Sequence, residues 1–267
     1  MSFLEAVVLG VVQGLVEWLP LSSEGVLTLV MVRFFGSTFA DAVVYSVWLH
    51  LGTSLAALIY FRNDFFKIAK SYKELVFNPS KKSLKKKASS LPLFVLVSTV
   101  LTGIVGGLAF LFFVRGSDID GRLATGLIGV MLIITGFVLL FSRRSHSLSK
   151  KANFKDSFLV GIVQGFSIIP GVSRSGVTVG TLLLRRYDAA MALKISFILS
   201  VPAILGAVLF ILVFEEFVID VYAFVAAFIS FVVGFITIKY FMLLAEKINF
   251  AYFCFILGAL AIIGMFL

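Results

Sequence analysis

The chain is written in long apolar runs with little polar punctuation. The fullest are Asp41 to Phe61, Leu91 to Val114, Leu123 to Phe141, Ala189 to Phe214, Val221 to Ala245 and Phe250 to Leu267. A helix needs about 20 apolar residues to cross a hydrocarbon core, so these are six predicted spans. Strands of alternating pattern are absent, which removes an outer-membrane barrel. Two further apolar stretches, Phe3 to Phe35 and Phe158 to Leu184, are each broken near the middle by a cluster of Pro, Ser and Gly. Such a break predicts a re-entrant hairpin or a split helix. Irregular backbone at membrane depth is tolerated only where protein or a water-filled cavity satisfies its polar groups.

The two broken stretches resemble each other. Residues 10 to 25 read GVVQGLVEWLPLSSEG and residues 161 to 176 read GIVQGFSIIPGVSRSG. Both open with G-[VI]-V-Q-G and place Pro, then Ser, before the closing Gly. Downstream, Ala42, Ser46, Leu49 and Ala57 recur as Ala192, Ser196, Leu199 and Ala207. Shared polar punctuation in two places argues for an internal repeat, one copy over about 1–142 and the other over about 157–267. An odd number of spans separates the broken stretches, so the second copy is inverted relative to the first. Inverted repeats with interrupted helices place their site near the midplane, where the two copies meet.

Composition agrees with a membrane-embedded chain: 60% of the 267 residues are hydrophobic and only 14% charged, against about 25% charged in soluble domains. The formal net charge of +9 would suggest an acidic partner in a soluble protein. Here the cations gather in two polar runs, Lys81, Lys82, Lys85, Lys86 and Lys87, then Arg143, Arg144, Lys150, Lys151 and Lys155. That is the cytoplasmic excess which fixes topology, and no nucleic acid is expected. With those loops inside, the acidic loop Glu215, Glu216 and Asp220 falls outside. A multi-pass protein of the cell membrane follows, with both termini on the outer side. The first hairpin then enters from the outer face and the second from the cytoplasmic face, where Arg185 and Arg186 return. Cys254 is the only cysteine, so no intramolecular disulfide forms. The N-terminus carries Glu5 and no basic region, and is not read as a removable signal peptide. Gly103, Gly106 and Gly107 suit close helix contacts, within one chain or between two in a homodimer.

The chemistry sits in the two breaks. Gln13 and Glu17 are four apart and share a helix face. A carboxylate at mid-membrane depth costs roughly 2.5–3.5 kcal/mol. A divalent cation, a proton or a cationic side chain must offset it, and Arg174 in the opposing break is the candidate partner. Pro and Gly open each helix, and the helix that restarts afterwards points its positive end at the break, a ready site for phosphate. Ser22, Ser23, Ser173 and Ser175 add donors, Thr178 extends the same polar face, and Arg174 can grip two phosphate oxygens with its planar fork. Glu24 lies closer to the first turn. Two such turns, one with a carboxylate and one with an arginine, predict a phosphate-directed site. Half-helices in inverted repeats also suit a transporter, such as a small-anion carrier.

The segments QGLVEWLPLSSEG and PGVSRSGVT, residues 170 to 178, together resemble the paired signature of the undecaprenyl-diphosphate phosphatase family of the bacitracin-resistance type. HLGTSLAALIYFR and SFILSVPAILGA are similar to the same family, and the resemblance covers essentially the whole chain. It implies an all-α integral membrane protein of six transmembrane helices plus two re-entrant helical hairpins. The implied activity is hydrolysis of a polyprenyl diphosphate to the monophosphate, recycling the lipid carrier of cell-envelope glycan synthesis. The implied cofactor is a divalent cation, Mg2+ or Ca2+, for which Glu17 and Gln13 are the expected ligands. Glu17, Ser23 and Arg174 are the expected catalytic residues, Ser23 as nucleophile or phosphate ligand. Gln13, Ser22, Glu24, His50, Ser173, Ser175 and Thr178 are expected to bind substrate. Two positions depart from the family: its usual first Glu is Gln13, and the His that usually follows S-S-x-G is Val26. A hydroxyl nucleophile needs a base, and with Val26 in place the candidates are Glu17, Glu24 and His50. Because the family's His is missing, the alternative is a flippase that moves a polyprenyl phosphate without hydrolysing it.

Overall fold

The computed structural model describes residues 1–77, 91–114, 119–142, 152–214 and 220–266, which form helices joined by short turns. Most of the two basic runs, together with Glu215 and Glu216, lies outside the described residues. The elements are α1 (Phe3–Val16), α2 (Ser23–Phe34), α3 (Phe39–Tyr60), α4 (Arg62–Phe77), α5 (Leu91–Phe113) and α6 (Gly121–Ser142). They continue as α7 (Phe154–Gly165), a 3-10 turn (Phe166–Ile168), α8 (Arg174–Leu184), α9 (Ala189–Phe214), α10 (Val221–Lys247) and α11 (Ala251–Gly264). Polar residues mark the starts: the Thr38 hydroxyl accepts from the Asp41 N–H at α3, and Asp220 accepts from the Ala223 N–H at α10.

Five helices, α3, α5, α6, α9 and α10, are long and apolar enough to span a membrane, and the protein is an all-helical, multi-pass membrane protein. The sixth expected span is shorter than its apolar run. α11 has 14 residues, about 21 Å at 1.5 Å per residue: it begins at Ala251, whose N–H donates to the Asn249 side chain, and ends at Gly264, with Met265 and Phe266 in a turn. It lies tightly along α6, where a methyl group built on Gly129 would meet the carbonyl of Gly258 at 2.7 Å, and the reverse holds for Gly258. A second difference is α4, which fills the first half of a stretch read as a loop. It is amphipathic. Ile68 is buried while Phe66 is exposed, Asp64 pairs with Lys194 at the start of α9 at 2.8 Å, and the Tyr72 hydroxyl donates to the Pro92 carbonyl.

Both broken stretches form helical hairpins: α1 and α2 in one, α7 and α8 in the other. α1 packs on α10 and α7 packs on α5. The shared glycines explain this. A Cβ on Gly10 would lie 2.6 Å from the Ala226 carbonyl of α10, and one on Gly161 would lie 2.7 Å from the Ser98 carbonyl of α5. Gly14 and Gly165 make equivalent approaches to Val233 and Val105. Each hairpin is thus clamped by a long helix from the other half of the chain, which brings the two hairpin ends together. Gly106 meets Gly165 of the same chain, and Cys254 is buried with its Sγ 3.6 Å from the Pro20 carbonyl.

Candidate active site

The hairpin tips are joined by their own helix caps. Ser22 caps α2 by accepting from the Gly25 N–H at 3.0 Å, and the same hydroxyl oxygen accepts from the Gly171 N–H of the other tip at 3.1 Å. Ser173 does the reverse, accepting from the Gly176 N–H and donating to the Leu21 carbonyl at 2.8 Å. Ser175 donates to the Leu19 carbonyl at 3.1 Å. Two glycines permit the approach. Gly171 has φ of +95°, and a Cβ there would strike the Ile128 carbonyl at 2.6 Å; a Cβ on Gly25 would sit 2.9 Å from the Gly171 nitrogen. As a result α2 and α8 begin side by side, at Ser23 and Arg174, with both positive helix ends at one point.

Glu17, at the C-terminal end of α1, lies at the centre and is 3% exposed. One carboxylate oxygen takes the Arg174 guanidinium across the hairpin interface. The other accepts from Gln13 Nε2 at 3.0 Å and from the Ser23 hydroxyl at 2.9 Å, and lies 3.2 Å from His50 Nε2. Arg174 Nη1 donates to the Ser196 carbonyl at 3.3 Å, and its guanidinium carbon stands 5.9 Å from the ring centre of Phe197. Phe197 is in turn held edge-on by Trp18. The buried acid is therefore fully engaged, and the expected Glu17–Arg174 pair is formed.

His50 belongs to α3, and its Nε2 is 3.1 Å from Ser23 Oγ. Its Nδ1 is 2.6 Å from the Ser46 carbonyl. A carbonyl only accepts, so Nδ1 carries the hydrogen. The Ser23 hydroxyl hydrogen points to Glu17, and Nε2 lies close enough to accept it once the hydroxyl turns toward the ring.

Around this centre lies a cavity of about 250 Å³. Its polar lining includes Glu17, Ser22, Ser23, Glu24, His50, Arg174 and Ser175, together with Thr99, Thr102 and Gln164. Its walls also include Gly103, Gly107 and Phe110 of α5 and Pro202, Gly206 and Phe210 of α9. Gln13, Ser173 and Thr178 do not line it. Gln13 supports Glu17 from behind, Ser173 spends its hydroxyl on the tip contacts, and Thr178 donates to the Arg174 carbonyl and bonds Ser196 Oγ at 2.7 Å. Sequence reasoning missed the supports Ser46, Thr53 and Ser196. The first two form with His50 a polar stripe at i, i+4 and i+7 on an apolar span, a signal that was present in the sequence.

Fold and site define a multi-pass membrane protein that gathers hydroxyls, a guanidinium and two helix N-termini around a cavity whose walls also carry apolar residues. The chain belongs to the family described as Bacitracin resistance protein BacA, which it matches over residues 6–263. A protein of Methanococcoides burtonii named undecaprenyl-diphosphatase is 45% identical over 267 residues, covering 100% of both chains. Proteins of the same name from Methanothrix thermoacetophila and Haloarcula marismortui are 37% and 34% identical, each alignment covering 98% of this chain and 96% of the relative.

Proposed function

We propose that the chain is a membrane phosphatase that converts an undecaprenyl-type polyprenyl diphosphate to the monophosphate and inorganic phosphate, returning the lipid carrier to cell-envelope glycan synthesis. The observation that carries this is the Ser23 hydroxyl, set between Glu17 and His50 and beside Arg174. The family membership and its undecaprenyl-diphosphatase relatives support it.

In this reading the diphosphate lies in the cavity beside Ser23 and Arg174 and the prenyl chain runs between α5 and α9. Arg174 and the N–H groups at the starts of α2 and α8 take up charge on the terminal phosphate. Ser23 Oγ attacks the terminal phosphorus and passes its proton to His50 Nε2. The anhydride P–O bond breaks, and prenyl monophosphate leaves with the proton from Nε2 as the phosphoserine forms. Water then attacks the phosphoserine and gives a proton to Nε2; the Oγ–P bond breaks, Nε2 returns that proton to Ser23 Oγ, and inorganic phosphate departs. Glu17 holds Ser23, His50 and Arg174 in register throughout. His50 supplies the base that Val26 does not, from a different element.

A divalent cation, magnesium or calcium, is part of the proposal. Among the described residues no three His, Cys, Asp or Glu side chains converge as a metal cage, but Glu17 and Glu24 both line the cavity. One or two carboxylates completed by substrate phosphate oxygens and water is a usual magnesium arrangement. Such an ion, when bound, neutralises phosphate charge. The outer placement of the termini is likewise proposed. Met1 pairs with Asp220 at 3.5 Å and Arg33 bonds the Gly264 carbonyl at 2.9 Å, which supports both chain ends lying on one face.

Phosphate release by the purified protein from farnesyl and C55 diphosphates, with and without EDTA, tests the proposal. Release that EDTA suppresses and Arg174→Ala abolishes is expected. Release no greater than that of Arg174→Ala overturns hydrolysis and leaves transport.

A further inference from the structure

The first hairpin carries a second buried acid that takes no part in the proton transfers above. Glu24, the second residue of α2, is 9% exposed and lines the same cavity as Glu17. Glu17 has four partners, whereas Glu24 Oε1 is buried with no hydrogen-bond partner at all. A carboxylate held in that condition is costly unless a cation or a proton reaches it.

Two other oxygens in the cavity share the condition. Gln164 Oε1 and Thr99 Oγ1 are also buried without partners, and both residues line the cavity wall. The amide orientation at Gln164 is dictated by its neighbour. Thr102 donates its hydroxyl hydrogen to the Gly161 carbonyl at 3.1 Å, so it has only lone pairs to offer, and Gln164 Nε2 donates to it at 3.0 Å. The carbonyl end of Gln164 is what remains. Gln13, the counterpart of Gln164 in the first hairpin, turns its Nε2 to Thr53 and Glu17 and lies outside the cavity wall. One cavity therefore holds an unpaired carboxylate, an unpaired amide carbonyl and an unpaired hydroxyl, with no sulfur donor. That is the ligand chemistry of a hard cation such as calcium, magnesium or manganese.

We propose that Glu24, with Gln164 and Thr99, seats a divalent cation beside the Glu17–Arg174 pair. The site rests on the phosphatase reading for its purpose, placing the ion next to the diphosphate. Its ligand set rests on the three unpartnered oxygens of one cavity. It also answers one departure from the family: where Gln13 stands for the usual first Glu, Glu24 provides a second carboxylate from the other helix of the hairpin.

The test is Mn2+ binding to the intact, detergent-purified protein without substrate, read by electron paramagnetic resonance. The wild type is expected to hold one ion per chain, displaced by excess Ca2+. Glu24→Gln is expected to weaken binding by at least about tenfold, a usual loss when metal-site residues are replaced. Gln164→Leu weakens it less, Glu24→Asp restores part of the binding, and Asp41→Asn, on the exposed surface, leaves it unchanged. Wild-type protein that binds no Mn2+, or Glu24→Gln and Gln164→Leu proteins that bind it as wild type does, would overturn the cation seat and leave Glu24 as a protonated acid. Phosphate release from farnesyl diphosphate, measured on the same samples, separates the two ideas: Mn2+ binding without release removes the phosphatase and keeps the seat.

Discussion

His50 Nε2 stands 3.1 Å from the Ser23 hydroxyl oxygen, although the two residues lie on different helices. The Ser46 carbonyl fixes the ring from the other side, so His50 is presented to Ser23 as a base. General base catalysis contributes about 10²–10⁴-fold. His50→Asn should lower kcat within that range and change KM little, as measured by steady-state phosphate release. An unaltered kcat would leave His50 as a packed residue and return the proton to Glu17.

Glu17 binds Gln13, Ser23, His50 and Arg174 at once. Glu17→Gln keeps the shape and removes the charge that orients them. Hydrolysis should fall to background while the protein still elutes as a single folded species in size-exclusion chromatography. Full activity in that variant would take Glu17 out of the mechanism.

Gly171 occupies a left-handed conformation under the Ile128 carbonyl. Gly171→Ala meets both a steric clash and a backbone penalty of about 1–3 kcal/mol. The melting temperature should drop and turnover should fall with it. Gly264→Ala, where a Cβ meets nothing within 4 Å, serves as the control and should melt as wild type does.

Gly103 and Gly206 line the cavity, and a Cβ on either meets nothing within 4 Å. Gly206→Leu should fold normally and fill the space assigned to the prenyl chain. KM for a C55 diphosphate is expected to rise about tenfold, the loss of roughly 1.4 kcal/mol of binding, with kcat nearly unchanged. Equal kinetics for Gly206→Leu and wild type would place the chain elsewhere.

Much of this was legible in the sequence because the signals were local. Pro20, Pro170 and the serines that follow them announce the breaks, and the G-x-x-Q-G repeat marks the helices that the long spans clamp. The Glu17–Arg174 pair followed from the cost of a lone acid in a membrane. What was hidden depends on which faces meet. Val26 removed the base that the motif leads one to expect, and only the packing of α3 against the hairpin shows His50 at Ser23. α4 was hidden because its apolar residues, such as Phe65, Ile68 and Tyr72, are interleaved with charges and read as a loop. α11 was overestimated since its apolar run continues past Gly264, where the helix ends. The free carbonyl of Gln164 emerges only once Thr102 is seen to have spent its hydrogen.

The site depends on the two hairpin tips meeting, and the Glu17–Arg174 contact reports that meeting. A double-mutant cycle measures it: wild type, Glu17→Gln, Arg174→Gln and the double variant, compared by unfolding free energy in one detergent. Contacting charges should give a coupling within about 0.5–3 kcal/mol, the double variant losing less than the two single losses combined. Strictly additive losses would mean that the acid and the guanidinium do not touch, and the site described here would not exist.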